Sequence, residues 1–109
     1  MKKIGILGST GSIGSQALEI LDEFKEEFKL VFISGNSNID KLLSQTKSFS
    51  PQYVCIADES YNKKIQEIEG TDFSYGQNAL LDLCQLDVDI VLNAISGYKG
   101  LYLSIQLIK

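Results

Sequence analysis

Short apolar runs alternate with amphipathic runs along most of this chain. Near-continuous apolar runs predict strands that are buried on both faces, at residues 3–7, 28–34, 53–57 and 89–95, with a shorter strand at 73–75. Apolar residues spaced three and four apart predict helices, at residues 12–24, 39–49, 77–86 and 101–108, and a short, poorly patterned helix is expected at 58–69. Pro51 ends the second helix because proline cannot continue one.

The order of these elements predicts the fold class. Strands that alternate with helices are typical of an α/β fold with an open, mainly parallel sheet and helices on both faces. Right-handed crossovers bring the loops after the first and the last predicted strands to the same edge of the sheet. In such sheets the ligand binds at the carboxyl ends of the strands. We therefore expect the functional site at that edge.

A glycine-rich turn joins the first predicted strand to the first predicted helix. Gly8, Gly11 and Gly14 follow a G-x-x-G-x-x-G spacing, a variant of the fingerprint that binds a dinucleotide pyrophosphate. Gly8 allows a positive φ, Gly11 leaves room for phosphates, and Gly14 lets the helix pack closely. The spacing alone equally fits a plain tight turn. Its place between a strand and an amphipathic helix favours phosphate binding at the helix N-terminus.

The loop after the second predicted strand bears on cofactor choice. Proteins that bind NAD place Asp or Glu there to hold the ribose 2′-hydroxyl, whereas this loop reads Gly35-Asn36-Ser37-Asn38. No carboxylate stands there to repel a 2′-phosphate, which favours NADP. The loop is also consistent with a polar turn in which Asn38 caps the next helix, and both interpretations can hold.

Composition narrows the function classes. The 109 residues predict one domain of ordinary globular composition, with 44% hydrophobic and 22% charged residues. A net charge of −4 without a lysine cluster disfavours nucleic-acid and anionic-membrane partners. No apolar run is long enough for a membrane span, and the first residues lack the apolar region of a signal peptide.

The residues usually needed for catalysis are scarce. Histidine is absent, which excludes Ser-His and Cys-His catalysis within this chain. Cys55 and Cys84 lie in apolar or helical patterns without C-x-x-C spacing, so we expect buried free thiols and a cytoplasmic location. Asp58, Asp87 and Asp89 are interpreted as helix caps and polar residues at strand edges. We expect no catalytic residue and no metal ligand in this chain.

Two motifs together resemble one enzyme family. Residues 7–14 read Leu-Gly-Ser-Thr-Gly-Ser-Ile-Gly, and residues 93–101 read Asn-Ala-Ile-Ser-Gly-Tyr-Lys-Gly-Leu. Both are similar to signatures of the N-terminal part of 1-deoxy-D-xylulose 5-phosphate reductoisomerases, as is Phe49-Ser50-Pro51. The resemblance covers all 109 residues and implies that residues 1–109 form a Rossmann-like NADPH-binding domain.

The resemblance also implies cofactor-binding residues. They form three groups: Gly8, Thr10, Gly11, Ser12 and Ile13; Gly35, Asn36, Ser37 and Asn38; and Ala94 and Ile95. The first group would hold the pyrophosphate, the second the 2′-phosphate side, and the third would line the cofactor. The family often has Gly-x-Asn in the second group. Either Gly35 is the family glycine with one extra residue, or Asn38 matches the family Asn and Asn36 replaces the glycine, which needs no insertion before Ile39.

The resemblance implies the activity of this enzyme family, which rearranges and reduces 1-deoxy-D-xylulose 5-phosphate to 2-C-methyl-D-erythritol 4-phosphate in non-mevalonate isoprenoid biosynthesis. It uses NADPH and a divalent metal, Mg²⁺ or Mn²⁺, typically as a homodimer. The resemblance places the family's Asn-Lys-Glu motif, metal ligands, substrate-phosphate site and catalytic lid beyond Lys109. We therefore expect a truncated cofactor domain that lacks the catalytic and C-terminal domains and is inactive alone.

Two alternatives stay open at this point. One is another NAD(P)-dependent oxidoreductase of the semialdehyde dehydrogenase type, which usually carries Ala and Val or Ile around the glycines. Ser9, Ser12 and the motif at 93–101 speak against it. The other is a non-catalytic nucleotide-sensing module. A sensor of NADH would be expected to carry an acid after the second strand, which this chain does not have there.

Overall fold

In the computed structural model, the described residues are 2–36, 38–61 and 68–94, together with the backbone of 96–97, 100–101 and 104–107. The strands are β1 (Lys2–Leu7), β2 (Phe28–Gly35), β3 (Tyr53–Ile56), β4 (Asp72–Tyr75), β5 (Ile90–Asn93), β6 (Ser96–Gly97), β7 (Gly100–Leu101) and β8 (Ser104–Leu107). The α-helices are α1 (Ser12–Glu23), α2 (Ile39–Phe49) and α3 (Gln77–Cys84).

The main sheet has the strand order β4-β3-β2-β1-β5-β8. Its first five strands are parallel, with Leu7 of β1 beside Asn93 of β5 and Gly35 of β2 beside Ile56 of β3. β1 lies in the middle, so the turn that follows it has β2 on one side and β5 on the other. The strand order therefore reverses direction at β1, which is where open α/β sheets bind their ligands.

Helices cover both faces of the sheet and form two separate cores. On one face Leu18 of α1 and Leu42 of α2 pack with Ile6 and Ile33. On the other face Leu83 of α3 packs in the same cluster as buried residues of β2 and β5. The predicted α/β class, with an open, mainly parallel sheet between helices, is confirmed.

The prediction for residues 101–108 is wrong. The sequence pattern predicted a helix there, but the described residues of this stretch belong to β7 and β8, and β8 runs antiparallel to β5 with Ile105 beside Leu92. Polar and apolar residues alternate from Ser104 to Leu107, which suits a strand. Pairing with β5 satisfies the backbone groups on one side of β8, and an antiparallel edge strand is common on parallel sheets.

The helix predicted at 58–69 can be compared with the structure only at its two ends. Of the helix expected at 58–69, a 3₁₀ turn at Glu59–Tyr61 is present, while 62–67 lie outside the described residues. A hydrogen bond from Ser60 Oγ to Asp58 Oδ1, 2.7 Å long, supports this turn. The Ser60 N–H donates to the same carboxylate oxygen at 3.0 Å, so the Asp58 side chain caps the start of this turn.

Candidate functional site

A cleft of about 560 Å³ opens at the carboxyl ends of β1, β2, β3 and β5. It is lined from both sides of the central strand by Gly8, Thr10, Gly11, Ser34, Gly35, Asn36, Ala57, Gln77, Leu80 and Ala94. Six of the predicted residues are among them: Gly8, Thr10, Gly11, Gly35, Asn36 and Ala94. The structure thus brings all three predicted groups to one cleft.

The turn after β1 has the geometry expected of a phosphate-binding turn. Gly8 has a φ of 78°, which a residue with a side chain adopts only at a cost. The Gly11 N–H donates to the Gly8 carbonyl at 3.3 Å, and Gly11 is the N-cap of α1. The first turn of α1 has no side-chain cap and no acidic residue. The amides of this turn are therefore suited to an anionic ligand.

Gly14 keeps α1 close to the turn. A Cβ built on Gly14 would overlap the carbonyl oxygen of Gly8 and lie 2.6 Å from the Cα of Ser9. These neighbours are backbone atoms, which cannot move aside like the end of a side chain. Only glycine at this position allows α1 to begin directly behind the turn, as the glycine spacing predicted.

The end of β2 is as closely packed as the turn. A Cβ built on Gly35 would lie 3.2 Å from Leu42 Cδ2 and 3.4 Å from Thr10 Cγ2. Gly35 therefore lets the end of β2 approach both α2 and the turn after β1. An aspartate or glutamate at this position would need space that Leu42 and Thr10 now occupy. Asn36, which follows, is exposed and lines the cleft.

The remaining predicted residues lie elsewhere or outside the described residues. Ser12 is exposed and Ile13 is half-buried in the first turn of α1, beside the lining residues but not among them. Asn38 is the N-cap of α2, where its carbonyl accepts a hydrogen bond from Leu42 N at 3.1 Å, but its side chain makes no capping bond. Ser37 and Ile95 lie outside the described residues.

None of the described residues that line the cleft has an ionisable side chain. The chain also contains no arginine, the residue best suited to bidentate phosphate binding. Backbone amides, helix N-termini and neutral polar groups such as Asn36 are the donors that this lining offers. The described lining thus carries no carboxylate that would repel a phosphorylated ligand.

Sequence reasoning missed four lining residues: Ser34, Ala57, Gln77 and Leu80. Ala57 follows β3, and Gln77 and Leu80 belong to α3, which begins after Gly76 with its φ of 95°. The signal was available, because the rule that placed the site at the carboxyl ends of β1 and β5 also applies to β3. These residues extend the cleft beyond β2 on the side away from β5.

A buried hydrogen-bond network behind the turn was missed as well. Gln45 of α2 donates from Nε2 to the Ser9 carbonyl at 2.8 Å, and Ser9 Oγ donates to Gln45 Oε1 at 2.8 Å. On the other side of the turn, Gly8 N donates to Ser34 Oγ at 3.1 Å. The turn is therefore held from α2 and from β2 at once. The signal was a glutamine three positions after Leu42, at the spacing of the apolar stripe of α2.

The two cysteines are free thiols: Cys55 belongs to the buried cluster that contains Leu83 of α3, and Cys84 packs against that cluster. Burial raises the pKa of the Cys55 thiol, an effect partly offset by a hydrogen bond with Ser74. Burial also raises the pKa of Cys84, which is half-buried. Both thiols are protonated at neutral pH and are poor nucleophiles. The expectation of free thiols holds, with Cys55 the fully buried one.

The described residues contain no group of three or more His, Cys, Asp or Glu side chains that could hold a metal ion. Within the same part of the chain, none of the helices has the length and apolar character needed to cross a bilayer.

Comparison with known proteins places this geometry in one family. The family model of 1-deoxy-D-xylulose 5-phosphate reductoisomerase matches residues 4–109. A relative of that name from Caldanaerobacter subterraneus subsp. tengcongensis is 38% identical over 111 residues, covering all of this chain and 29% of the relative. A second one, from Clostridium perfringens strain 13, is 41% identical over 115 residues, covering all of this chain and 30% of the relative.

One solved structure is similar to this chain in both fold and sequence. DOX-P reductoisomerase in complex with NADPH, fosmidomycin and magnesium superposes with a TM-score of 0.80 at 29% identity, covering 89% of this chain and 25% of that one. This chain therefore spans less than a third of the length of the relatives that it matches. Neither the semialdehyde dehydrogenase type nor the sensing module is favoured by these matches. The chain belongs to the 1-deoxy-D-xylulose 5-phosphate reductoisomerase family.

Proposed function

We propose that this chain binds NADPH in the cleft at the carboxyl edge of its sheet. One observation carries the proposal: the positive φ of Gly8 and the uncapped start of α1 meet the carboxylate-free end of β2 in one cleft. The first feature suits a pyrophosphate, and the second suits a ribose with a 2′-phosphate. The family's solved relative with NADPH supports the same assignment.

Each part of the lining has a role in this proposal. Gly8, Thr10, Gly11, Ser12 and Ile13 bind the pyrophosphate through backbone amides and hydroxyl groups. Gly35, Asn36, Ser37 and Asn38 hold the ribose and its 2′-phosphate. Ala57, Gln77 and Leu80, beyond β2, offer two apolar surfaces and one amide to the adenine.

The other half of the cofactor lies toward β5. Ala94, which is buried and lines the cleft, and Ile95 border the nicotinamide side. NADPH supplies the hydride when bound. The role of these residues is to orient the nicotinamide ring and to exclude water from one of its faces.

For the whole protein we propose the activity of its relatives: rearrangement and reduction of 1-deoxy-D-xylulose 5-phosphate to 2-C-methyl-D-erythritol 4-phosphate. Residues 1–109 form the cofactor domain, and regions that correspond to the remaining length of the relatives supply the catalytic groups and the divalent-metal ligands. A solved relative in complex with NADPH, fosmidomycin and magnesium supports the use of both the cofactor and a divalent metal. We further propose a homodimer in the cytoplasm.

Titration calorimetry with NADPH and NADH at one ionic strength tests the cofactor assignment. We expect this chain to bind NADPH more tightly than NADH, and Gly11→Val to abolish both because its side chain would enter the cleft at the N-cap of α1. A preference for NADH would contradict the role of residues 35–38. Binding of neither nucleotide would overturn the proposal that this chain binds NADPH.

A further inference from the structure

Ser9 and Gln45 form a two-bond pair that is shielded from water. Gln45 is 7% exposed and Ser9 is fully buried. The Gln45 amide donates to the Ser9 carbonyl and accepts from the Ser9 hydroxyl, each at 2.8 Å. Ser9 also donates its backbone N–H to the Ser34 carbonyl at 2.9 Å. The polar atoms of Ser9 are all bonded, and the residue is fixed in orientation.

This pairing requires an amide. One end of the side chain must donate and the other must accept, so a carboxylate would set a negative oxygen against the Ser9 carbonyl. A methionine of similar length would make neither bond. The Ser9 carbonyl would keep one bond, from Ser15 Oγ at 3.1 Å. Loss of the amide would therefore loosen the turn without leaving its carbonyl bare.

The pair joins the two phosphate subsites of the proposed cofactor site. Ser9 lies between Gly8 and Thr10, which line the cleft, while Gln45 does not line it. Gln45 belongs to α2, which begins at Ile39 directly after the loop at residues 35–38. The pair therefore fixes the turn after β1 relative to the helix that follows the 2′-phosphate loop.

We propose that Gln45 is a positioning residue for the cofactor, which holds the backbone of Ser9, and with it Gly8 and Thr10, in the form that receives the pyrophosphate. The inference rests on the proposed NADPH site. Without Gln45 the turn samples other conformations, and binding must select the competent one at a cost in apparent affinity. The loss should follow the pyrophosphate and not the 2′-phosphate.

The first test compares Gln45→Met with Gln52→Met, a matched change at an exposed position before β3. Kd values are measured by calorimetry for NADP⁺, NAD⁺ and ADP, which carries the pyrophosphate without the 2′-phosphate. We expect Gln45→Met to weaken all three by about tenfold, the value of one or two hydrogen bonds, with an unchanged ratio of NADP⁺ to NAD⁺ affinity. Gln52→Met should change none of them.

The second test uses Gln45→Glu, which keeps the shape and adds a titratable group. A neutral carboxyl can donate to the Ser9 carbonyl and accept from the Ser9 hydroxyl, as the amide does, whereas a carboxylate cannot. The other partner of the Gln45 amide, Ser15 Oγ at 3.4 Å, is uncharged. At each pH we take the ratio of the Gln45→Glu Kd for NADP⁺ to the wild-type Kd. We expect this ratio to approach one as pH falls from 8 to 5. Gln52→Glu should show no such trend.

The outcomes separate the two proposals. If wild type binds NADP⁺ but Gln45→Met binds it equally well, the positioning role is overturned while the cofactor site stands. A wild type that binds none of the three nucleotides overturns both. If circular dichroism shows that Gln45→Met does not fold, Ser9→Ala decides, because it removes one of the two bonds. We then expect about threefold weaker binding, and an unchanged Kd overturns the role.

Discussion

The carbonyl oxygen of Gly8 occupies the position into which a side chain on Gly14 would project. Because the obstacle is backbone, substitution must push α1 away from the turn or distort the turn itself. We expect Gly14→Ala to lower the free energy of unfolding by about 1–3 kcal/mol, the usual cost of overpacking. Urea unfolding followed by circular dichroism measures this change.

The same substitution should also weaken NADPH binding, because displacement of α1 moves its first-turn amides. Gln16→Ala, at an exposed position on the same helix, is the matched control. It should leave both the urea midpoint and the Kd close to wild type. A stable Gly14→Ala variant with unchanged affinity would show that the close approach of α1 has no part in the site.

Asn36 tests the proposed 2′-phosphate subsite. It is exposed, lines the cleft and follows the carboxylate-free end of β2. We expect Asn36→Asp to weaken NADPH binding about three- to tenfold, since like charges near a protein surface repel by about 1 kcal/mol. NADH binding should be almost unchanged because it lacks the 2′-phosphate.

Salt provides a check on this charge effect. The difference between Asn36→Asp and wild type should shrink as ionic strength rises from 0.05 to about 0.5 M, because salt screens exposed charges. Gln52→Glu adds the same charge just before the start of β3. The cleft lies at the other ends of the strands, on the opposite edge of the sheet. This substitution should leave both affinities unchanged. Equal losses for NADPH and NADH would contradict the assignment of this loop.

Local sequence signals were sufficient for much of this fold. The central strands carry near-continuous apolar runs, and α1 and α2 each show one apolar stripe with clear end signals, so β1, β2, α1 and α2 were predicted with nearly their observed bounds. Residues 104–107 were not, because their strand depends on β5 as a partner. A few alternating residues also fit a helix, and only the tertiary pairing decides between them.

The site shows the same division between local and long-range signals. Gly8, Gly11 and Gly35 stand in motifs that indicate their role at once. Gln45 stands on α2, more than thirty positions from the Ser9 that it holds. Its spacing in the sequence carries no sign of that partner. Residues that a neighbouring strand or helix brings to the site can be identified only once the topology is known.

The raised pKa of Cys55 predicts a pH dependence of stability. In the folded state the pKa of the Cys55 thiol is raised above its ordinary value of 9.0, because burial disfavours the thiolate. The unfolded chain releases that proton as pH rises through 9, so the unfolded state then binds fewer protons. The stabilising contribution is therefore complete below pH 9 and is lost as pH rises above it.

Urea unfolding at pH 7 and pH 10 measures this contribution. Lysine and tyrosine side chains also titrate near pH 10, so wild type is compared with Cys55→Ala. We expect the free energy of unfolding to fall more between the two pH values in wild type than in the variant. Equal falls would mean that Cys55 is as accessible to deprotonation in the folded state as in the unfolded one.

Asp89 and Asp87 offer a test of two kinds of polar contact at the start of β5. The Asp89 carboxylate accepts a 2.8 Å hydrogen bond from Lys3 N, and Asp89 N donates to the Lys3 carbonyl, also at 2.8 Å. Asp89 thus joins the beginning of β1 to the beginning of β5. Asp87 forms an ion pair with Lys3 at 3.6 Å, but its side chain is 98% exposed.

The two contacts should differ in value. We expect Asp89→Ala to lower the free energy of unfolding by about 1 kcal/mol, because a backbone donor at the start of β1 loses its charged acceptor. Asp87→Ala should leave the urea midpoint unchanged, since water and salt screen so exposed a pair. Neither residue lies at the cleft, so both variants should bind NADPH like wild type. A larger loss from Asp87→Ala would mean that the ion pair, and not the backbone contact, secures β5 beside β1.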